Sequence, residues 1–493
     1  MRALRRTVIL AVAVAAALVL PATALAHVAN IEYRFPIPVW LYAVAGAAVV
    51  LLSAPAAVVA LRREPRVGTR NLYPPLARAL PGAFLRALVA ALFVLVLVAG
   101  FFSPAAGVEN PAVLLFWIVF WVGLGIASAL VGNVWDLVSP LSILGRWLDA
   151  RLAGRGVAAR GYPEELGVWP SVVLVLLFSW AELVWRDARE PRVIATLVLA
   201  YCALQLLGMA RYGAEVWLAR AELFTVFART LSRMAPLELY SGERAEPCRA
   251  GVCAAEGERV GCPTCFHDAP PRDRGVRLRM YGAGIHREPG LGPGGAAFVV
   301  ALLATVVYDG LRGTRQYARL EADLVDLLPR LDDARQLRGT IMMMLVVGAF
   351  ALVYVAAAAL ASRLEKGGPL DLAERYAPTL IPIAAVYFVA HYALYLFYVG
   401  QLTPRVVLDP AESGWFPEYQ PWTNVPGAAV WAFQLAAIVA GHVLAVMAAH
   451  RVAKRFHRTD REVLVAQLPF LGLMVLYTFT GLWVLGQALQ AAG

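Results

Sequence analysis

Two groups of residues in this 493-residue chain are of the kinds that perform chemistry. The first is a cysteine cluster, Cys248-x4-Cys253-x8-Cys262-x2-Cys265, with His267 two residues further on. Two thiolates three positions apart on a tight turn can share one ion, so Cys262-Pro263-Thr264-Cys265 has the spacing of a zinc half-site. Cys248, Cys253 or His267 could complete a tetrahedron around it. Zinc held there would order a loop and would not imply catalysis. A redox or disulfide role, or unliganded thiols, are the other readings of the same residues. Cys202 falls inside an apolar run and reads as a small packing residue.

The second group consists of polar side chains inside apolar runs. Such groups are costly at membrane depth, so each is a functional candidate. His391 has Tyr387 and Tyr395 one turn to either side on its face, and the next apolar run carries Gln434 and His442, with His450 at its end. Eight residues rotate by only about 80° on a helix, so Gln434, His442 and His450 share one broad face. Counting rise from the helix ends puts His391 and Gln434 at similar depth, with His442 deeper toward the cytosol. Three readings fit: interhelical hydrogen bonds that hold the bundle together, a metal or proton-handling site of His391, His442 and Gln434, and haem between two spans. Asp309 and Glu182 lie near the outer ends of two further runs, with Arg312 and Arg186 about one turn away. Interfacial ion pairing is their simplest reading, and Asp309 could also open onto the His391 site.

The elements that must position these residues are membrane spans. Hydrophobic residues make up 60% of the chain and charged residues 16%, with a mean hydropathy of +0.64, too apolar for a soluble chain of this length. Runs long enough to cross a hydrocarbon core fall at 38–61, 83–103, 111–131, 168–185, 191–209, 294–311, 339–361, 377–400, 427–449 and 465–488. The expected fold is therefore an all-α polytopic bundle of about ten mature spans. The net charge of +10 does not indicate nucleic acid, because the arginines occupy short loops and form no basic face mixed with aromatics. Lysine occurs only at Lys366 and Lys454, which suggests a GC-rich bacterial genome.

The first 26 residues read as a signal peptide: basic Arg2, Arg5 and Arg6, an apolar stretch from Thr7 to Leu20, and a small-x-small site at Ala24-Leu25-Ala26. Cleavage would leave His27 at an outer N-terminus, where its amine and imidazole could brace copper if a second histidine approached. The mature chain would then divide into spans 1–5 over residues 27–240, a Cys-rich loop over 241–293, and spans 6–10 over 294–493. With the N-terminus outside a cytoplasmic membrane, the inner loops hold Arg62, Arg63, Arg66 and Arg70, then Arg146, Arg151, Arg155 and Arg160, and the Cys-rich loop is cytosolic. The loop at 312–338 dissents, since it should be outside yet carries six arginines, interleaved with acids such as Glu321 and Asp326. Residues 140–153 and 214–235 read as amphipathic helices on the inner surface, and 317–336 as a charged outer helix. No internal repeat supports an inverted-repeat transporter.

Several stretches resemble a family of bacterial and archaeal polytopic membrane proteins commonly labelled fenitrothion hydrolase. They include FPIPVWLY (35–42), WAELVWRDAREPR (180–192), ARYGAEVWLARAELFTVFARTLSRMAP (210–236), ATVVYDGL (304–311), IPIAAVYFVAHY (381–392), GHVLAVMAAH (441–450) and LMVLYTFTGLW (473–483), in order from end to end. The resemblance implies a polytopic membrane fold and hydrolysis of an organophosphate triester, and it brings no assigned catalytic residues. Triester hydrolysis usually uses a metal-activated water. Here the buried candidates are His391, His442, Gln434 and Asp309, with no acid in the histidines' own spans and no G-x-S-x-G elbow. Two functions follow as expectations: a hydrolase of hydrophobic esters that partition into the bilayer, or a permease-like or metal-handling protein whose polar face lines a pathway. A subunit of a larger membrane complex is a third.

Overall fold

A computed structural model describes residues 35–490 apart from 61–69, 73–81, 242–258, 261–264, 267–268, 271–272, 288–290, 417–420 and 423. The proposed signal peptide, His27, Cys248, Cys253, Cys262 and His267 lie outside the described residues.

The described chain is 78% helical, and ten of its helices are long and apolar enough to cross a membrane. In chain order the spans are α1 Val39–Ala60, α2 Gly82–Phe102, α3 Pro111–Leu130, α5 Trp169–Leu183, α6 Pro191–Tyr212, α9 Gly292–Arg312, α11 Arg335–Ala361, α13 Ile381–Gly400, α14 Gly427–Lys454 and α15 Asp460–Gln490. Between them lie α4 Pro140–Ala153, α7 Ala214–Arg220, α8 Leu223–Ser232, α10 Arg315–Leu327 and α12 Pro369–Tyr376. Each expected apolar run has become a span, including the two carrying Glu182 and Asp309. A helix satisfies every backbone group within itself, the condition for crossing hydrocarbon.

Packing sorts the spans by depth in the bundle. In α9 nearly every residue from Gly294 to Leu311 is buried, so this helix forms the axis around which the others pack. By contrast α1 and α2 turn Leu52, Phe84, Leu88 and Val94 outward, as suits a lipid-facing surface. Small residues let the central helices approach closely. A Cβ at Gly441 of α14 would stand 2.2 Å from a Val386 methyl of α13, so only glycine permits that crossing.

Residues 214–235 differ from expectation. They do not form one surface helix but two short ones, α7 and α8, broken at Ala221-Glu222, and all ten residues of α8 are buried. Trp217 of α7 packs against Gly208 of α6, and the Tyr201 hydroxyl of α6 donates to Glu222, so the break sits beside the middle of a span. Non-helical backbone is tolerated at such depth only when surrounded by protein. The Glu222 carboxylate supplies that shelter by capping α8 through the N–H groups of Phe224 and Thr225, and it also accepts from the Trp135 indole. Arg229, expected at a surface, instead donates to the Ala219 carbonyl at 3.0 Å.

The described residues of the stretch 241–293 include strands. Strands β1 Arg70–Leu72, β2 Leu237–Ser241, β3 Arg259–Val260 and β4 Arg274–Leu278 form a small antiparallel sheet in the order β1-β4-β2-β3. Buried Glu238 accepts from Arg277 and Arg279 together, which fixes β2 against β4. This sheet marks one end of the bundle, while Arg312 marks the other.

Candidate functional site

Near the Arg312 end, the last turns of α9 present Asp309 to α13. The Asp309 carboxylate is 7% exposed, and an acid so placed needs partners. Its Oδ2 lies 2.9 Å from His391 Nε2 and accepts from the Tyr392 hydroxyl at 3.0 Å. Arg312, the partner expected from sequence, stands further off at 3.7 Å from Oδ1. The primary bond of Asp309 is thus to an imidazole on another span. With the carboxylate ionised, Nε2 carries the hydrogen and Nδ1 keeps a lone pair. Neighbouring Gly310 makes this approach possible, because a Val484 methyl and the Tyr387 hydroxyl occupy the space a side chain would take.

A second acid faces the same region. Glu182, near the end of α5, accepts from the Trp121 indole at 3.0 Å. Sequence reading paired it with Arg186, but the structure gives it this indole instead, with the Arg189 side chain on the same cavity wall. Trp121 belongs to a nine-residue π-helical stretch, Leu114–Val122, inside α3. A π segment shifts the side-chain register, and such segments are frequent at functional sites. Here it turns Trp117, Ile118 and Val122 into the cavity. Trp117 is held by donating to the Ala188 carbonyl at 3.1 Å, just past the end of α5.

Two cavities meet at the Asp309–His391 pair. One, of about 280 Å³, is walled by Trp117, Ile118, Val122, Glu182, Tyr392 and Gln434. The other, of about 240 Å³, is walled by more polar groups, among them Tyr308, Arg312, Tyr317, Glu321 and Arg335. Asp309, His391 and Leu183 line both. In the second cavity the Tyr317 hydroxyl lies 3.1 Å from that of Tyr308, and burial raises its pKa above the usual phenol value. Arg338 closes this side by binding Glu321 at 2.7 Å, which uses part of the arginine excess in the loop that dissented from the charge rule.

The structure therefore unites Asp309, His391 and Gln434 around one cavity. Gln434 Nε2 donates to the Ala390 carbonyl at 3.1 Å, which confirms the equal depth of Gln434 and His391, while its Oε1 is buried without a partner among the described residues. His442 lines neither cavity. It lies two turns further along α14, fully buried, with Nδ1 2.8 Å from the Ile438 carbonyl and Nε2 unpartnered. Cys265 is buried. No group of three or more His, Cys, Asp or Glu side chains among the described residues is arranged to hold a metal ion.

Sequence reasoning missed Tyr392, Trp121 and the buried capping role of Glu222. Tyr392 follows His391 directly and could have been flagged as a second donor, but nothing local marks Trp121. Comparison with protein-family models, curated proteins and solved structures yields no match to this chain.

Proposed function

We propose that this helical membrane protein carries a small, largely apolar solute and couples its passage to a proton exchanged at the Asp309–His391 pair. One observation carries the reading: the pair forms the shared wall of two cavities. Protonating a buried carboxylate–imidazole pair changes its charge and its hydrogen bonds, and so biases how α9 and α13 pack. The larger cavity suits an apolar solute through Trp117, Ile118 and Val122, while Glu182 and Gln434 offer a few oriented polar contacts. The basic loops at the sheet end orient that end to the cytoplasm under the positive-inside rule.

The test uses purified protein in liposomes with an internal pH dye and a panel of small aromatic solutes. A solute that drives proton movement in wild type, and no longer does so in Asp309→Asn, is the expected result. Proton movement indifferent to both Asp309→Asn and His391→Ala overturns the reading.

A second reading is the hydrolase that the family resemblance implies. It draws on the same pair, because an imidazole oriented by a carboxylate can act as a general base toward water. In that case purified protein releases nitrophenol from a triester and His391→Ala abolishes the release. Wild-type protein inactive across a series of added divalent metals would sink it.

A further inference from the structure

The polar groups that line the larger cavity mostly accept hydrogen bonds, because the donors among them are largely committed. The Trp117 indole donates to the Ala188 carbonyl, and the Tyr392 hydroxyl gives its hydrogen to Asp309, which also faces His391 Nε2. Gln434 is 4% exposed, and its amide meets the Ala390 carbonyl, an acceptor, which fixes Nε2 on that side. Oε1 is then left buried with no partner among the described residues. A buried amide oxygen rarely goes unsatisfied, and the cavity that Gln434 lines is the space from which a donor can come.

Charge on the same wall is weighted toward acid. Glu182 has one hydrogen-bond partner, the Trp121 indole, and no basic group within ion-pair distance among the described residues. Asp309 adds a second carboxylate, held by His391 and Tyr392. Arg189 is the one arginine on this wall, and it is exposed, so water screens its charge. A carboxylate in an apolar, partly enclosed space gains most from a cation that also donates hydrogen bonds. Trp117, Tyr392 and Tyr395 line the cavity too, and aromatic rings receive cations on their faces.

We infer that the solute taken by this cavity is a hydrophobic amine in its ammonium form, bound through Gln434 Oε1 and the Glu182 carboxylate. Its N–H groups donate to those two acceptors, and its apolar body lies against Trp117, Ile118 and Val122. This rests on the reading of the cavity as the place where a solute is carried, and it narrows that solute from apolar to apolar and cationic. A volume of about 280 Å³ is at the small end of ligand pockets, which begin near about 300 Å³, and suits one ring on a short chain. A neutral solute would leave Glu182 uncompensated, and an anion would face two carboxylates. The ammonium and a proton at the Asp309–His391 pair bring like charge to one cavity. Each therefore disfavours the other, the reciprocal relation that exchange of the two requires.

The experiment measures saturable binding of radiolabelled 2-phenylethylamine to the purified full chain in detergent at neutral pH, where this probe is an ammonium. Detergent is chosen because a permeant amine shifts the internal pH of liposomes unaided. Unlabelled 2-phenylethylamine should displace the label at concentrations at least about tenfold lower than neutral 2-phenylethanol or anionic 3-phenylpropanoate. Glu182→Gln, which keeps an acceptor for Trp121, should weaken amine binding at least about tenfold, and Gln434→Leu at least about threefold. No saturable binding overturns the inference, as do equal displacement by the neutral alcohol, preference for the carboxylate, or affinity indifferent to either substitution. Variants are compared at equal amounts of monodisperse protein, and the wild-type ligand series decides alone if neither variant folds. Selective amine binding together with proton movement indifferent to Asp309→Asn and His391→Ala overturns the coupling and leaves the amine site standing. Asp309-dependent proton movement driven by a neutral solute, with no amine bound, overturns the amine and leaves the coupling standing.

Discussion

Gly310 and Tyr387 interlock: a Cβ on Gly310 would stand 3.1 Å from the Tyr387 hydroxyl oxygen and 2.6 Å from a Val484 methyl. Because Gly310 follows Asp309, this contact sets the distance between α9 and α13 at the functional pair. Gly310→Ala therefore forces the helices apart or displaces Tyr387. Overpacking of this kind costs about 1–3 kcal/mol. The expected result is a lower melting temperature and a loss of Asp309-dependent proton movement larger than the loss of folded protein explains. Ala at 310 that melts and functions as wild type would show that the close approach is not needed.

Replacing Asp309 separates its two jobs. Asp309→Asn keeps an oxygen that accepts from Tyr392, so the loss of stability should stay near 1–2 kcal/mol. Asp309→Ala orphans both the Tyr392 hydroxyl and His391 Nε2, and each buried orphan costs about 1–3 kcal/mol. Thermal melts should therefore rank wild type, Asn, Ala in descending order, while both variants lose proton-dependent activity equally. If Ala melts no lower than Asn, the two hydrogen bonds contribute no stability.

How much of this was legible in the sequence depends on the range over which each signal acts. The ten spans were legible because each is a local apolar run, and hydrophobicity needs no partner to be read. His391 and Gln434 could be set at one level by counting rise. The bond from Asp309 to His391 joins residues 82 positions apart, and a single sequence carries no sign of which acid meets which base. Asp309 was consequently assigned to Arg312, its neighbour on the helix. α8 was misread for a different reason. An alternation of Phe with Arg looks the same on a membrane-surface helix as on a buried one whose arginine meets a carbonyl, and only the fold supplies Ala219 to Arg229. The π segment of α3 left no trace because its residues are uniformly apolar.

Glu222 holds the buried helix break together, and its substitution should be severe. It serves as N-cap for α8, worth about 0.5–2 kcal/mol, and it also satisfies Tyr201 and Trp135. Glu222→Ala removes the cap and orphans those donors, enough to lose most folded protein as judged by a monodisperse peak in size-exclusion chromatography. Glu222→Gln retains an acceptor and should preserve a measurable fraction. Equal yields from Ala and wild type would mean that the break is held by apolar packing alone.

The loop after α13 provides a pH test away from the spans. Asp409 accepts from the Ser413 hydroxyl at 2.6 Å and from the N–H groups of Ser413 and Gly414 at 2.9 Å each. These bonds, the Ser413 hydroxyl foremost, hold its pKa below the ordinary carboxylate value. The unfolded chain therefore takes up the proton more readily than the folded one. The stabilisation from Asp409 is fully present above the unfolded pKa of about 3.9 and is lost as pH falls through the lower folded value. Asp409→Asn cannot titrate, so its melting temperature should fall less steeply than that of wild type as pH drops below about 4. Melts in detergent across that range give the comparison directly, and parallel curves for the two proteins would remove Asp409 from the acid response.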